Sequence, residues 1–348
     1  EASVAARALL KDRDPLVRVY AIRTIAAARR TNLAEAVSGL ARDPAWIVRV
    51  EALKALTPLK GGLLYSLAGL DVDDTNPLVQ VTAIEALGDL RVDQGLIYLQ
   101  RILNESEDAV LRGAAIVAKA KIQQDGALPD LRNWKKSSDP AIRRACAQAF
   151  GELRSDQARS LLGEMISDAD PRVLAEVVTA LGLDDDVIVV NVQGDEPEIP
   201  ASAIDAVATM LDADRGAAVA TLCHPIHDIS DVVNPNVVKC IVAETGNALY
   251  FSRAPVPFSR DAWAGGVTVM PAGLPVYRHI GLYAYRASFL RSFPALTVPA
   301  IERHEALEQL RALAHGYRIR VAVVDDPLPP GIDTPEDYAR LLARGNQH

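Results

Sequence analysis

Cysteine is scarce in this chain. There are three, Cys146, Cys223 and Cys240, and an odd, widely spaced set implies neither a disulfide framework nor a zinc ligand set; a reducing cytoplasm is the expected setting. Long apolar runs are also lacking. No stretch of about 18 apolar residues occurs, which argues against a transmembrane helix. Basic charge is in deficit, with 37 Lys and Arg against 45 Asp and Glu and a formal net charge of -8. Sequence-independent nucleic-acid binding needs a basic surface, so nucleic acid is not an expected partner. The chain opens on Glu1-Ala2-Ser3, with neither a methionine nor a basic-then-apolar leader, and the expectation is a start inside a longer protein. Metal motifs are missing too. Cys223-His224-Pro225-Ile226-His227 contains a proline that breaks helical spacing and has no further ligands close by, so it reads as a strand end and a turn. His304-Glu305 lacks the second histidine of a zinc-protease helix, and Asp184-Asp185-Asp186 reads as a solvated turn.

What remains is ample for two domains: 348 residues, 49% hydrophobic and 24% charged. The first half repeats itself. Anchors stand at Asp14-Pro15, Asp43-Pro44, Asn76-Pro77, Asp108-Ala109, Asp139-Pro140 and Asp170-Pro171, at spacings of 29, 33, 32, 31 and 31. After each comes an apolar helical pattern such as Val17-Arg18-Val19-Tyr20-Ala21-Ile22. The Asp or Asn caps a helix by accepting backbone N–H bonds, and proline at the first helical position sacrifices no hydrogen bond. Ala21, Ala52, Ala83 and Ala114 let neighbouring helices approach closely. A two-helix unit cannot bury its apolar stripe alone, so such units stack. Over residues 1–173 the pattern resembles the HEAT repeats, which implies a solenoid that binds a protein partner or, alternatively, serves as a spacer.

The character changes from Val187. Val187-Ile188-Val189-Val190-Asn191-Val192 is a short, continuous, β-branched run, read as a buried strand of a parallel sheet. A loop, Gln193-Gly194-Asp195-Glu196-Pro197, follows it, then a helix over Ser202 to Leu211 and a strand over Ala217 to Cys223. Such alternation predicts an α/β domain with ligands at strand ends.

Six blocks in order carry a resemblance. They are Val190-Asn191-Val192-Gln193-Gly194-Asp195-Glu196-Pro197 with Ile199-Pro200; Asn234-Pro235-Asn236-Val237-Val238-Lys239; Ala248-Leu249-Tyr250-Phe251-Ser252-Arg253; Arg278-His279-Ile280-Gly281-Leu282-Tyr283-Ala284-Tyr285-Arg286; Leu307-Glu308-Gln309-Leu310-Arg311; and Gly331-Ile332-Asp333-Thr334-Pro335-Glu336-Asp337. Residues 174–348 are similar to the C-terminal part of the 3-deoxy-manno-octulosonate (Kdo) cytidylyltransferases, or CMP-Kdo synthetases. The resemblance implies a multidomain chain: an all-α HEAT-like solenoid, then a truncated α/β domain of the nucleotide-diphospho-sugar-transferase kind. It implies CTP and Kdo as substrates, CMP-Kdo and pyrophosphate as products, and a role in lipopolysaccharide biosynthesis. Asp195 and Asp333 are the implied catalytic and metal-holding carboxylates. Each follows an apolar strand, and Mg2+ favours one or two carboxylates with water and phosphate oxygens. The alternative for each is a turn or helix-start residue. Gln193, Arg253, His279, Tyr283, Glu308 and Gln309 are the implied sugar-site residues, with Arg253 suited to a carboxylate through two parallel hydrogen bonds. For Tyr283 the alternative is a half-buried strand aromatic; for Glu308 and Gln309 it is a solvated helix face. Lys239 reads equally as a phosphate contact or a surface lysine. A homodimer, joined through Arg253 to Arg278, is also implied.

Two family segments have no counterpart. The basic glycine-containing loop of the form R-x-x-S-x-R-L-P-G-K, which cradles the CTP phosphates, is absent, as is S-G-T-[DE]-R, which helps hold the cytosine. Without the strand before that loop, Val187 to Val192 is expected to form an unpaired edge. The expectation is a family member with a sugar-side half-site and little CTP-binding capacity. The rival is a HEAT-based scaffold carrying an inactive transferase fragment, and a third reading is an enzyme completed in trans by another chain.

Overall fold

The computed structural model describes residues 2–59, 72–192 and 199–325. The chain forms two compact units, 1–163 and 164–348. The helix Pro171–Leu181, through which the sequence reading drew its boundary, belongs to the second unit.

The first unit is helical. Its longer helices are α1 (Pro15–Ala27), α2 (Trp46–Leu56), α3 (Pro77–Asp89), α4 (Ala109–Gln123) and α5 (Pro140–Leu153), and each packs against the next. Shorter helices such as Leu96–Glu105 and Leu128–Trp134 lie between them. Asp14, Asn76, Asp108 and Asp139 do cap their helices, each side chain accepting from a backbone N–H of the first turn. The second anchor does not. The α2 helix begins two residues later, with Ala45 as its cap and no side-chain bond there. The caps therefore fall at 14, 45, 76, 108 and 139, an even spacing of 31 or 32 residues instead of the expected 29 and 33. Asp43 has another task. Its carboxylate takes both forks of Arg18, at 2.8 and 2.7 Å, and also the N–H of Ala45 at 2.9 Å. Arg49 repeats the arrangement on Asp74, at 2.8 and 2.9 Å. An arginine one turn into a helix thus ties itself to the aspartate just ahead of the next repeat's cap. Helices approach closely at Gly88 of α3, where a Cβ would stand 2.7 Å from the Cα of Ala118 in α4.

The second unit is a mixed sheet of β1 (Ile188–Val192), β2 (Val219–Pro225), β3 (Lys239–Val242), β4 (Ala248–Ser252), β5 (Tyr277–Arg286) and β6 (Ile319–Val323). The order is β4-β3-β5-β2-β6, with β1 paired to β5. Among the described strands only β2 and β6 run parallel. The parallel pairing expected for Val187 to Val192 is therefore corrected: β1 lies antiparallel to β5, Ile188 opposite Arg286 and Val192 opposite Leu282. It is buried only at alternate residues, Val189 and Asn191. A β-branched run reports burial and chain stiffness, not strand direction. Among the described strands β1 pairs only with β5, so it does stand at an edge of the sheet, and its Asn191 side-chain amide donates to the carbonyl of Asp168 at 2.6 Å.

Period-two alternation along β5 divides the unit into layers. Ile280, Leu282 and Ala284 pack under the helix α7 (Ala201–Ala213), against Ala203, Val207 and Leu211. His279, Gly281, Tyr283 and Tyr285 face the other way. On that side lie α6 (Pro171–Leu181), α8 (Ala287–Ser292), α9 (Ala300–Glu305) and α10 (Gln309–Ala314). A smaller core around Trp263 (1% exposed) closes the excursion between β4 and β5. All three cysteines are buried and unpaired. No helix among the described residues is long and apolar enough to cross a membrane.

Candidate active site

The face of β5 that carries His279, Gly281, Tyr283 and Tyr285 floors a cavity of about 610 Å³. Val219 and Ile319 extend the floor, Phe289 and Phe293 form an apolar wall, and Ala169 and Pro171 reach it from the start of α6. The floor is an aromatic row: Phe251 meets His279 edge-on at 5.1 Å, His279 and Tyr283 lie 5.2 Å apart, and Tyr283 stacks on Tyr285 at 5.6 Å.

The polar wall comes from the turn between α9 and α10. Ala306 there adopts a left-handed backbone, φ 51°, which a non-glycine residue enters at some cost. That turn delivers Glu308 and Gln309 to the cavity. It is braced from behind by the buried pair Arg311–Glu302, whose Nε–Oε2 bond is 2.8 Å, and the same guanidinium lies 4.4 Å over the ring of Phe293. Glu308 keeps exposed surface at the rim, yet its setting raises its pKa. Desolvation is the main cause and the charge of Asp170 the next, with Arg311 and Arg172 opposing.

Arg253 enters from the end of β4 and is held on every side. Its Nε donates to the Glu305 carbonyl at 2.7 Å, Nη1 to Pro235 at 2.9 Å and Nη2 to Ala306 at 3.4 Å. Its backbone N–H donates to the Glu305 carboxylate at 2.9 Å. Its carbonyl accepts from Lys239 Nζ at 2.7 Å. Three of the five guanidinium N–H groups are thereby engaged, which leaves two for a ligand. Lys239 fits neither of its readings. It is 0% exposed, and its ammonium spends its other donors on Asn234 and Val237 at 3.0 and 2.7 Å. Desolvation pulls its pKa down to about 8, although Glu305 works the other way.

His279 sits deep on the floor, with some ring surface left open. Loss of water around the ring lowers its pKa to about 3, so the imidazole is neutral at physiological pH. Burial likewise raises the Tyr283 phenol well above its ordinary value. Tyr283 is only 6% exposed, more buried than a half-buried strand aromatic.

Five residues singled out from the sequence, Arg253, His279, Tyr283, Glu308 and Gln309, thus line one cavity. Gln193, Asp195 and Asp333 lie outside the described residues. Among the described residues no cluster of three or more His, Cys, Asp or Glu side chains is suited to a metal. Sequence reasoning did not single out Tyr285, which the alternation from Tyr283 could have flagged. It also missed Glu305 and Thr221, whose parts depend on contacts distant in sequence.

Residues 158–319 match the family model for cytidylyltransferase. A CMP:2-keto-3-deoxy-manno-octonic acid synthetase solved in complex with CTP is 31% identical, the match covering 60% of this chain and 78% of that one, with a TM-score of 0.45. The CpcE–CpcF phycocyanin lyase complex from Nostoc sp. PCC7120 is 18% identical over 51% of this chain and 74% of that one, TM-score 0.42. An engineered protein is 20% identical over 51% of this chain and 94% of that one, TM-score 0.36. The family match and the 31% identity, not the superpositions, place the chain: through residues 158–319 it belongs to the cytidylyltransferase family.

Proposed function

We propose that the second unit is the sugar-acid side of a Kdo cytidylyltransferase site. The reaction is attack of a Kdo hydroxyl on the α-phosphorus of CTP, giving CMP-Kdo for lipopolysaccharide biosynthesis and releasing pyrophosphate. The observation that carries this reading is the convergence of Arg253, His279, Tyr283, Glu308 and Gln309 on one cavity. A guanidinium suits the carboxylate of the sugar acid. Imidazole, phenol, amide and carboxylate together match a polyol, offering both donors and acceptors. The stacked floor of Tyr283 and Tyr285 gives the sugar ring an apolar bed.

Mg2+ would screen the triphosphate and polarise its α-phosphorus when bound. Asp195 and Asp333 are its proposed holders, on the sequence pattern alone. The sequence has no basic glycine loop to cradle the phosphates. We therefore infer that Kdo binding survives in this chain while CTP binding is weak, and that turnover needs a phosphate-binding segment that this sequence does not carry.

The test is pyrophosphate release from CTP, Kdo and Mg2+, with Asp195→Ala as control, alongside calorimetric titration of Kdo. Kdo binding without release, and release on adding a phosphate-loop fragment in trans, is the expected result. Release by the chain alone, abolished in Asp195→Ala, would mean that another segment replaces the loop. If folded protein binds no Kdo, the family site is inactive. The HEAT-like reading of the even 31-residue repeat, a scaffold for a protein partner, then takes precedence.

A further inference from the structure

We propose that Thr221 is a positioning residue that fixes His279 as its Nε2–H tautomer, so that the cavity presents an unprotonated Nδ1 to accept a hydrogen bond from a ligand hydroxyl. The tautomer follows from geometry alone; the identity of the ligand rests on the sugar-acid reading above.

Thr221 is 0% exposed on β2. Its Oγ1 lies 3.0 Å from His279 Nε2, 2.8 Å from the carbonyl oxygen of Leu282 and 3.3 Å from that of Ile280. The hydroxyl has one proton, and a carbonyl oxygen can only accept. If the proton pointed at Nε2, the hydroxyl lone pairs would face two carbonyl oxygens with no hydrogen between them. The arrangement that satisfies all four groups sends the proton to the carbonyls and makes Oγ1 the acceptor of Nε2–H.

The carbonyls are there because of a bulge. Thr221 stands opposite Tyr283, but the next residue, Leu222, stands opposite Ile280. Gly281 and Leu282 are therefore extra on β5, the ladder is interrupted between β2 and β5, and carbonyls meet a side chain instead of a strand. The bulge and the threonine thus act together on the histidine.

Nδ1 is the free end of the ring. It makes no hydrogen bond among the described residues and is not sealed from the cavity that His279 lines. With Nε2 carrying the proton, Nδ1 has a lone pair and nothing to donate. It accepts from a hydroxyl and rejects an acceptor-only group such as a carboxylate or phosphate oxygen. The site is therefore polar in the directional sense: the acid end of a sugar acid belongs at the guanidinium of Arg253, and a hydroxyl belongs at His279.

The experiment is long-range 1H–15N correlation NMR on the full chain labelled with 15N-histidine, with His279 assigned by its loss in His279→Asn. The expected result is a pyrrole-type Nε2 and a pyridine-type Nδ1, unchanged between about pH 5 and 8. Thr221→Val should give a mixed tautomer population, and Thr221→Ser should restore the original one, which a merely space-filling role would not do. Kdo should shift the Nδ1 resonance, inorganic phosphate should not, and Thr221→Val should bind Kdo about tenfold more weakly. A protonated Nδ1 in the unaltered protein overturns the proposal, and so does Kdo that binds without moving Nδ1. The expected tautomer in a protein that binds no Kdo upholds the Thr221 assignment and counts against the sugar-acid reading alone.

Discussion

Two buried basic side chains on the second unit's sheet behave in opposite ways. His279 gives up its charge, whereas Lys239 keeps a proton and fills its three N–H directions with carbonyls. The histidine has a consequence for stability. Its folded pKa, about 3, lies below the unfolded value near 6.5. Between those values the unfolded chain binds the extra proton, so stability falls as pH drops from about 6.5 toward 3 and is unaffected by this group above that window. His279→Gln, which keeps a donor toward Thr221, should flatten this part of the profile in urea titrations at stepped pH. Lys239→Met should cost about 2–4 kcal/mol, because it strands the buried carbonyls of Asn234, Val237 and Arg253. It should also weaken Kdo binding by loosening Arg253; denaturation midpoints and calorimetry read the two effects separately. None of this was legible in sequence. Lys239 looked like a surface or phosphate lysine because its partners are backbone carbonyls, two in the turn just before it and one on Arg253 at the end of β4, and Thr221 sits unmarked in an apolar strand.

At the scale of elements, the local signals were the readable ones. Asp14, Asn76, Asp108 and Asp139 announced their helices because a cap acts within three residues. Asp43 misled because the same Asp-Pro signature serves a contact with Arg18, 25 residues away, which no local pattern reveals. That contact makes a prediction where it is missing. Arg112 occupies in α4 the place of Arg18 in α1, four residues past the cap, but the residue two before the next cap is Ser137 instead of an aspartate. Arg112 Nε is left buried without a partner. Ser137→Asp should rebuild the pair and stabilise the first unit by about 1–2 kcal/mol, as a higher denaturation midpoint. Strand direction was the other illegible element: the run over β1 was read correctly as a strand but wrongly as a parallel one, since a β-branched run packs equally well in either direction.

For the molecule as a whole, the division into a helical and an α/β unit followed from the change in periodicity near Val187, and five of the residues that line the cavity from their motifs. The chain's net charge of -8 makes a basic phosphate cradle harder to improvise from what is present. Kdo at a hundred times its Kd should add about 2.7 kcal/mol and raise the melting point of the second unit by roughly 5–10 °C, whereas CTP alone should leave it almost unchanged. Differential scanning calorimetry with each ligand separates the two. The three buried cysteines supply a finer instrument without any engineering. Cys146 lies in the first unit and Cys223 and Cys240 in the second, all out of reach of solvent. Burial raises the Cys146 thiol to about 12, and a hydrogen bond with Cys223, together with burial, raises the Cys240 thiol well above its ordinary value, so neither reacts while its surroundings are closed. The rate at which a thiol reagent modifies each one under native conditions is then a clock for the opening of its own surroundings, and Kdo should slow the clock at Cys223 and Cys240.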